Sequence, residues 1–241
     1  MTDIAPLDKI KYMPDELTSG CNGQCVGFTV SDIVGNIIGQ QCDLSFSYAL
    51  GLWMGDLLPT TIGEDPYAAM AAAVAFGALP LIDDTPQQLT MSQLERVNIA
   101  NYTPQQFQQA KIGTQNGIMY LGSYQEIVDY VRTYKQGVSL AMKFYRSFLI
   151  PNQDGTLPAI SGDFSYHNVG VWNDGIGLLI KPYCGATYGL GGYAYLTEAN
   201  YDLTEIGAWG FTPGWRWFNL VKIALQYPKR IPQILPLLST K

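Results

Sequence analysis

The hydrophobic pattern of the chain changes its period near residue 137, and this change restricts the fold more than any other feature. In the first part, apolar residues of the run 26–38 recur at three- and four-residue steps, which predicts a buried helix. In the second part, the stretch 138–150 alternates as a strand does, the segment 167–183 predicts a hairpin, and 191–197 predicts another strand. Helices followed by antiparallel strands predict an α+β fold with two halves.

Two polar pairs mark the starts of helices in the first part of the chain. Thr103 and Gln106 have the spacing of a capping box, in which each side chain accepts a hydrogen bond from the backbone N–H of the other residue. Ser123 and Glu126 have the same spacing. The sequence therefore predicts that a helix begins at each pair and that both pairs form the reciprocal bonds.

Composition argues against several classes of protein. A chain of 241 residues, 47% of them apolar and 14% charged, can bury one substantial core or two smaller ones. A net charge of −6 and the lack of a basic stripe argue against a nucleic-acid partner. No apolar run approaches the roughly 20 residues that a membrane span needs. Nothing in the pattern implies a metal or another cofactor.

The N-terminal segment and the cysteines bear on the compartment. Residues 1–17 are acidic and lack the apolar region of a signal peptide, so we expect a cytoplasmic or virion protein. Without export, cysteines are expected to remain thiols and not to form a disulfide framework. The chain has four of them, namely Cys21, Cys25, Cys42 and Cys184.

Cys25 and His167 are the candidate catalytic residues. Cys25 stands at the start of the first predicted helix, where the helix dipole and free N–H groups favour a thiolate. His167, the one histidine of the chain, stands at the start of the first hairpin strand. A helix-borne thiol facing a strand-borne imidazole is the minimum for thiol-based nucleophilic catalysis. Taken alone, the same residues also fit a small buried cysteine and a structural histidine.

Two stretches of the sequence resemble the papain-like cysteine peptidases. They are "SGCNGQCVGF" around Cys25 and "HNVGVWNDGIGLLIKPYCGATYGLGGYAYL" from His167 onward. The interval of 142 residues from Cys25 to His167 agrees with the roughly 130–150 residues typical of that family. The similarity extends from about Met13 to Leu196. The matching positions are Gly20, Gly23, Cys25, Phe28, Gly185, Gly189, Gly192 and Tyr193.

The resemblance implies a papain-like domain over residues 1–204. Its helical half would cover about 13–136 and its β half about 137–204, with a cleft between them. Cys25 would then be the nucleophile, His167 would carry the proton, and a peptide would be the substrate.

The sequence departs from the family at two supporting positions, which implies a degenerate active site. Ser19 stands where the family has a glutamine that stabilises the oxyanion, and a hydroxyl is a shorter donor. Pro182 stands where the family has an asparagine that orients the histidine, and its side chain has no acceptor. Asn168 follows His167 directly, so on a strand its side chain should point to the opposite face and be unable to replace that asparagine. Asn173 is the other nearby amide.

Residues 205–241 lie beyond the resemblance and form an apolar, proline-rich extension. Its prolines Pro228, Pro232 and Pro236 predict an extended arm instead of a regular helix. Such an arm either packs over its own domain or docks on a protein partner or a second copy of the chain. The candidate docking residues are Trp215, Trp217, Phe218, Ile231, Ile234, Leu235, Leu237 and Leu238.

Two functional interpretations follow from these residues. In the first, the chain is a papain-like protein with weakened or lost peptidase activity, a pseudoenzyme that serves as a structural component, such as a bacteriophage virion protein, and docks through its arm. In the second, it is an active cysteine peptidase that uses the Cys25 and His167 dyad. The changes at Ser19 and Pro182, together with the arm, favour the first interpretation.

Overall fold

A computed structural model describes residues 24–57, 64–81, 97–185, 187–214 and 216–238. The oxyanion candidate Ser19, Cys21 and the docking candidate Trp215 lie outside these residues. The side chains of four further docking candidates also lie outside the described part, namely those of Trp217, Leu235, Leu237 and Leu238.

The first part of the chain folds into helices with clear local stop and start signals. Helix α1 covers Cys25–Ile38, α2 Leu44–Met54, α3 Pro66–Phe76 and α4 Pro104–Ala110. Aspartates precede α2 and α3 as caps, because each accepts a hydrogen bond from a backbone N–H of the first turn. No helix within the described ranges is long and apolar enough to cross a membrane.

The two predicted helix starts are both present, but only one pair forms the reciprocal box. Thr103 accepts from the N–H of Gln106, whose side chain accepts from the N–H of Thr103, so the first box is confirmed. Helix α5, Tyr124–Tyr134, begins after Ser123, which accepts from the N–H of Glu126 at 3.2 Å. The Glu126 carboxylate instead accepts from the N–H of Gly122 at 2.6 Å. The second box is therefore half formed, because the carboxylate reaches one residue further back.

The second part of the chain forms most of one antiparallel sheet. Its strands are β1 Ile118–Tyr120, β2 Val138–Tyr145, β3 Phe164–Asn173, β4 Leu178–Lys181, β5 Ala194–Leu196 and β6 Glu205–Phe211. They lie in the order β1-β6-β2-β3-β4-β5, and short helix α6, Glu198–Thr204, connects β5 to β6. The predicted hairpin is confirmed as β3 and β4, and with it the α+β fold.

The two faces of the sheet pack against different helices. Along β3, Val169 and Val171 face one hydrophobic core, which they share with α5, whereas Trp172 faces the other core. That other core contains the apolar side of α1, including Val30 and Ile33, together with most of α3. Helix α1 therefore lies against the sheet and reaches β3. This packing brings the first turn of α1 to the strand that carries His167.

The extended C-terminal arm predicted from the prolines is wrong. Residues 205–211 form β6 inside the sheet, and two helices follow, α7 Arg216–Gln226 and α8 Ile231–Leu238. Pro232 lies in the first turn of α8, where a helix needs no N–H donor. Only Pro236 lies inside the helix.

The C-terminal helices pack over their own chain, which was one of the two alternatives. Ile234 is fully buried among residues of the α1 and α3 core, so it offers no surface to a partner. Arg216 donates to the carbonyl oxygens of Val74 and Ala75 at the end of α3, at 3.2 and 3.0 Å. The guanidinium of Arg230 lies 4.3 Å from the centre of the Trp53 ring on α2.

We predict that Ile234→Ala lowers the free energy of unfolding by about 2–5 kcal/mol, because it removes a buried side chain and leaves a cavity. Leu225→Ala is the matched control, since Leu225 on α7 is 75% exposed and its loss should change stability by less than about 0.5 kcal/mol. Urea unfolding measures both. Equal effects of the two substitutions would show that α8 does not belong to the core.

Candidate active site

Cys25 is the first residue of α1 and lies against β3. Gln24 is the N-cap residue, and the Cys25 thiol is half-buried beside the strand. Its sulfur accepts a hydrogen bond from the backbone N–H of Asn168 at 3.4 Å. Because Asn168 follows His167 directly, the tertiary structure brings the candidate nucleophile next to the backbone of the candidate base, 142 residues away in the sequence.

His167 is held in one orientation by the chain after β4. The imidazole is buried, with 3% of the residue exposed, and its Nε2 lies 2.8 Å from the carbonyl oxygen of Pro182. The Phe144 ring packs edge-on against it at 5.1 Å between centres. A carbonyl only accepts hydrogen bonds, so Nε2 carries the proton of the neutral ring and Nδ1 is its basic nitrogen.

Pro182 thus supplies an acceptor that its side chain lacks. The proline side chain has no hydrogen-bond acceptor, as the sequence predicts, so the acceptor is a backbone atom. The backbone carbonyl of Pro182 accepts the hydrogen bond from the imidazole, and no feature of the sequence signals its direction. The Cys184 thiol donates to the same carbonyl at 3.6 Å.

Asn168 faces away from His167, in agreement with the alternation of side chains along a strand. Its amide exchanges hydrogen bonds with the Ser139 hydroxyl of β2, with Nδ2 3.0 Å from the oxygen. This bond is buried and fixes β3 to β2 at the position where the N–H of Asn168 meets the thiol. The side chain of Asn173, the other candidate, accepts from the N–H of Gly175 in the hairpin turn, so it does not orient the imidazole.

Burial holds both candidate groups in their neutral forms. Burial is the main cause that raises the pKa of the Cys25 thiol to about 11. The hydrogen bond from Asn168 lowers this pKa by a smaller amount, and the charge of Glu64 adds to the increase. Burial also lowers the pKa of His167 to about 4, although the hydrogen bond to Pro182 acts in the opposite direction. At neutral pH the resting pair is therefore a thiol and an imidazole, and not a thiolate and an imidazolium.

Two buried polar side chains near Cys25 were not identified from the sequence. Neither amide atom of Gln24 has a hydrogen-bond partner in the described structure. The Glu64 carboxylate packs against Gly51, where an added Cβ would lie 2.1 Å from Oε1. Neither carboxylate oxygen has a well-aligned hydrogen-bond donor. Burial raises the pKa of Glu64 well above its usual range. Nothing about an isolated glutamine or glutamate indicates such burial.

The remaining described cysteines and acidic residues suggest no second centre. Cys42 and Cys184 are thiols, as is Cys25, in agreement with the expectation from the sequence. Within the described ranges, no group of histidine, cysteine, aspartate and glutamate side chains is arranged to hold a metal ion.

Solved structures share the fold of this chain, although no family model and no curated protein matches its sequence significantly. Xylellain, a cysteine protease from Xylella fastidiosa, matches with a TM-score of 0.60 at 12% identity, over 88% of this chain and 94% of that chain. A cysteine protease of Carica candamarcensis matches with a TM-score of 0.56 at 15% identity, over 88% and 97%. The bromelain protease of Ananas comosus matches with 0.55 at 13% identity, also over 88% and 97%. The chain therefore has the papain-like fold.

The lowered pKa of His167 predicts a specific dependence of stability on pH. Between the usual histidine pKa of ~6.5 and about 4, the unfolded chain binds a proton that the folded chain does not, so stability falls as the pH falls. The full effect is about 3 kcal/mol, at about 1.4 kcal/mol for each pKa unit. It should appear as a difference between the wild type and His167→Gln in urea unfolding at pH 7 and pH 4. A difference independent of pH would contradict the buried neutral imidazole.

Proposed function

We propose that this chain is a papain-type cysteine hydrolase of low intrinsic activity, with peptides as its substrate class. The observation that carries the proposal is the hydrogen bond from His167 Nε2 to the Pro182 carbonyl, together with the contact of the Cys25 thiol with the backbone N–H of Asn168, the residue after His167. A histidine with a fixed tautomer beside a thiol at a helix N-terminus is the arrangement that nucleophilic catalysis needs. The Pro182 carbonyl offers an acceptor at one of the two substituted positions, Ser19 and Pro182, that favour a pseudoenzyme.

The reaction would start from the neutral pair. As the sulfur of Cys25 bonds to the substrate carbonyl carbon, its proton passes to Nδ1 of His167 and the C=O electron pair moves to the oxygen. The imidazolium then protonates the leaving nitrogen as the C–N bond breaks, which leaves a thioester. Water next attacks the thioester and gives one proton to His167, which returns it to the departing sulfur. The N–H of Cys25 would stabilise the oxyanion, with Ser19 as the second candidate donor.

Low activity follows from the electrostatics of the site. A thiol with a pKa of about 11 is ionised in only about one molecule in 10,000 at pH 7. The attack on substrate must therefore be assisted by His167 and cannot draw on a preformed thiolate. Burial lowers the basicity of the imidazole as well, so each proton transfer has a smaller driving force.

We predict that a small neutral alkylating agent labels Cys25 in the wild type at least tenfold faster at pH 7 than in His167→Ala, because the imidazole accepts the thiol proton. Peptide mass spectrometry measures the rate at each cysteine. Tyr166→Ala is the matched control, since Tyr166 is the neighbouring residue of β3 and is exposed. Slow hydrolysis of a mixed peptide library, absent in Cys25→Ser, should accompany the labelling.

Equal labelling of Cys25 in the wild type and in His167→Ala would refute the proposed hydrolase. Cys42 provides an internal reference, because burial raises the pKa of its thiol to about 12 and no histidine is available to it. Its labelling should be unchanged by the substitution.

The second candidate is a non-catalytic papain-type protein that docks on a partner, as a structural component of a virion would. The observation that favours it is the exposed apolar surface of α7, where Phe218 is 55% exposed and Leu225 also projects into solvent. Ile231 is partly buried against the core of its own chain, so it contributes less than α7 does.

We predict that an isolated docking subunit would self-associate at micromolar concentration and that Phe218→Ser would return it to a monomer, because the substitution removes apolar surface from α7. Light scattering gives the mass of each form. Gln226→Ser is a suitable control, since Gln226 is an exposed polar residue of the same helix. A monomeric wild type whose Cys25 labelling depends on His167 would leave the hydrolase as the function.

A further inference from the structure

The direction of the Pro182 carbonyl depends on the conformation of the next residue, Tyr183. Tyr183 has a φ of 58°, in the left-handed region that side chains other than glycine rarely adopt. Among the described residues other than glycine, Asp56 and Lys135 share this property; Lys135 is the C-cap of α5, and Asp56 follows Gly55, the C-cap of α2. Tyr183 differs from them, because it is a large residue with only 5% of its surface exposed and it lies after a strand. Its conformation therefore needs another explanation.

The Tyr183 side chain is attached to the helix that carries Cys25. Its ring stacks on Phe28 of α1, with 5.3 Å between the ring centres and 19° between the planes. The ammonium of Lys181 lies 5.1 Å from the centre of the same ring. Lys181 also forms a 2.7 Å ion pair with Asp32, one helical turn beyond Phe28. Four side chains thus join the end of β4 to α1, and we call them the Tyr183 clamp.

Gly170 of β3 leaves the space that the clamp occupies. A Cβ at this position would lie 2.9 Å from the Tyr183 hydroxyl oxygen and 2.1 Å from the Trp172 ring. Both rings therefore cross the strand where it has no side chain. Gly170 lies three residues after His167, so the clamp and the imidazole belong to the same short stretch of β3.

We propose that Tyr183 is a positioning residue for His167: its left-handed backbone turns the Pro182 carbonyl towards the imidazole, and its ring fixes that turn to α1. The clamp connects the helix of the nucleophile to the carbonyl that orients the base. Its catalytic relevance rests on the proposed hydrolase function, whereas its effect on the imidazole does not. The stacking of the Tyr183 ring on Phe28 stabilises the left-handed backbone conformation of Tyr183, which is unfavourable by itself.

The presence of one histidine in the chain makes a direct test simple. Nitrogen-15 histidine labelling reports the tautomer and the titration of His167 alone, through the shifts of its two ring nitrogens. The wild type should show protonated Nε2 and unprotonated Nδ1 at pH 7. Tyr183→Gly, which keeps the left-handed conformation accessible but removes the ring, should give a mixture of the two tautomers. It should also move the His167 titration by at least one unit towards that of a free histidine.

Two further variants separate positioning from loss of stability. Phe28→Leu retains the Tyr183 backbone but removes the stacked ring on α1, so it should produce the same change in smaller degree. If Tyr183→Gly does not fold, the tautomer of His167 in Phe28→Leu tests the proposal instead. Leu44→Ala is the matched control, since Leu44 packs in the same small cluster as Phe28 and Tyr183 but has no part in the stacking. It should lower stability and leave the tautomer unchanged.

The result that would overturn the proposal is a single Nε2-protonated tautomer in both Tyr183→Gly and Phe28→Leu. Failure of the proposed function gives a different pattern. In that case the wild-type tautomer is fixed and depends on Tyr183, while the labelling of Cys25 is the same with and without His167. If the proposal and the function both hold, Tyr183→Gly should slow Cys25 labelling at pH 7 about tenfold, and adding His167→Ala should slow it no further.

Discussion

The packing of α1 across β3 is the contact on which the rest of the site depends. It removes the first turn of the helix from water, places the sulfur of Cys25 on the N–H of Asn168, and sets the neighbouring imidazole against the far end of β4. Each half of the molecule contributes one of the two candidate residues, Cys25 and His167, and neither half holds both. The Ser139 and Asn168 side chains strengthen this junction from within the sheet, where their hydrogen bond is buried.

The same packing limits the chemistry of the site. Desolvation penalises charge, so it raises the pKa of the thiol and lowers that of the imidazole, and the two effects together oppose an ion pair. A helix dipole acts in the other direction but is weaker than full burial of a single charge. The nearby carboxyl of Glu64 is subject to the same penalty, which raises its pKa. In the proposed hydrolase, the site would therefore work by proton transfer during the reaction and not from a charged resting state.

The C-terminal segment shows how one local rule can be outweighed. Proline inside a helix removes a hydrogen bond, so three evenly spaced prolines predict an extended chain. Pro232 lies in the first turn, where that bond does not exist, and only Pro236 carries the penalty. Burial of Ile234 against the helical core offsets it. The free-energy cost of a proline applies only where the helix needs the missing N–H, so it depends on the position of the proline in the helix.

Much of the fold could be predicted because its signals are local. Helix caps, the period of apolar residues and the Asn173 turn act over a few residues, so the sequence by itself determined the α+β order, the start of α1 at Cys25 and the hairpin that carries His167. Three features were decided only by tertiary structure: the Pro182 carbonyl as acceptor, the burial that keeps the pair neutral, and the folding of the C-terminal helices onto their own chain. The physical reason is that a carbonyl's direction and a group's desolvation depend on how separate elements pack together, as where Asn168 meets Cys25 across 143 residues of sequence, and no local pattern records such packing.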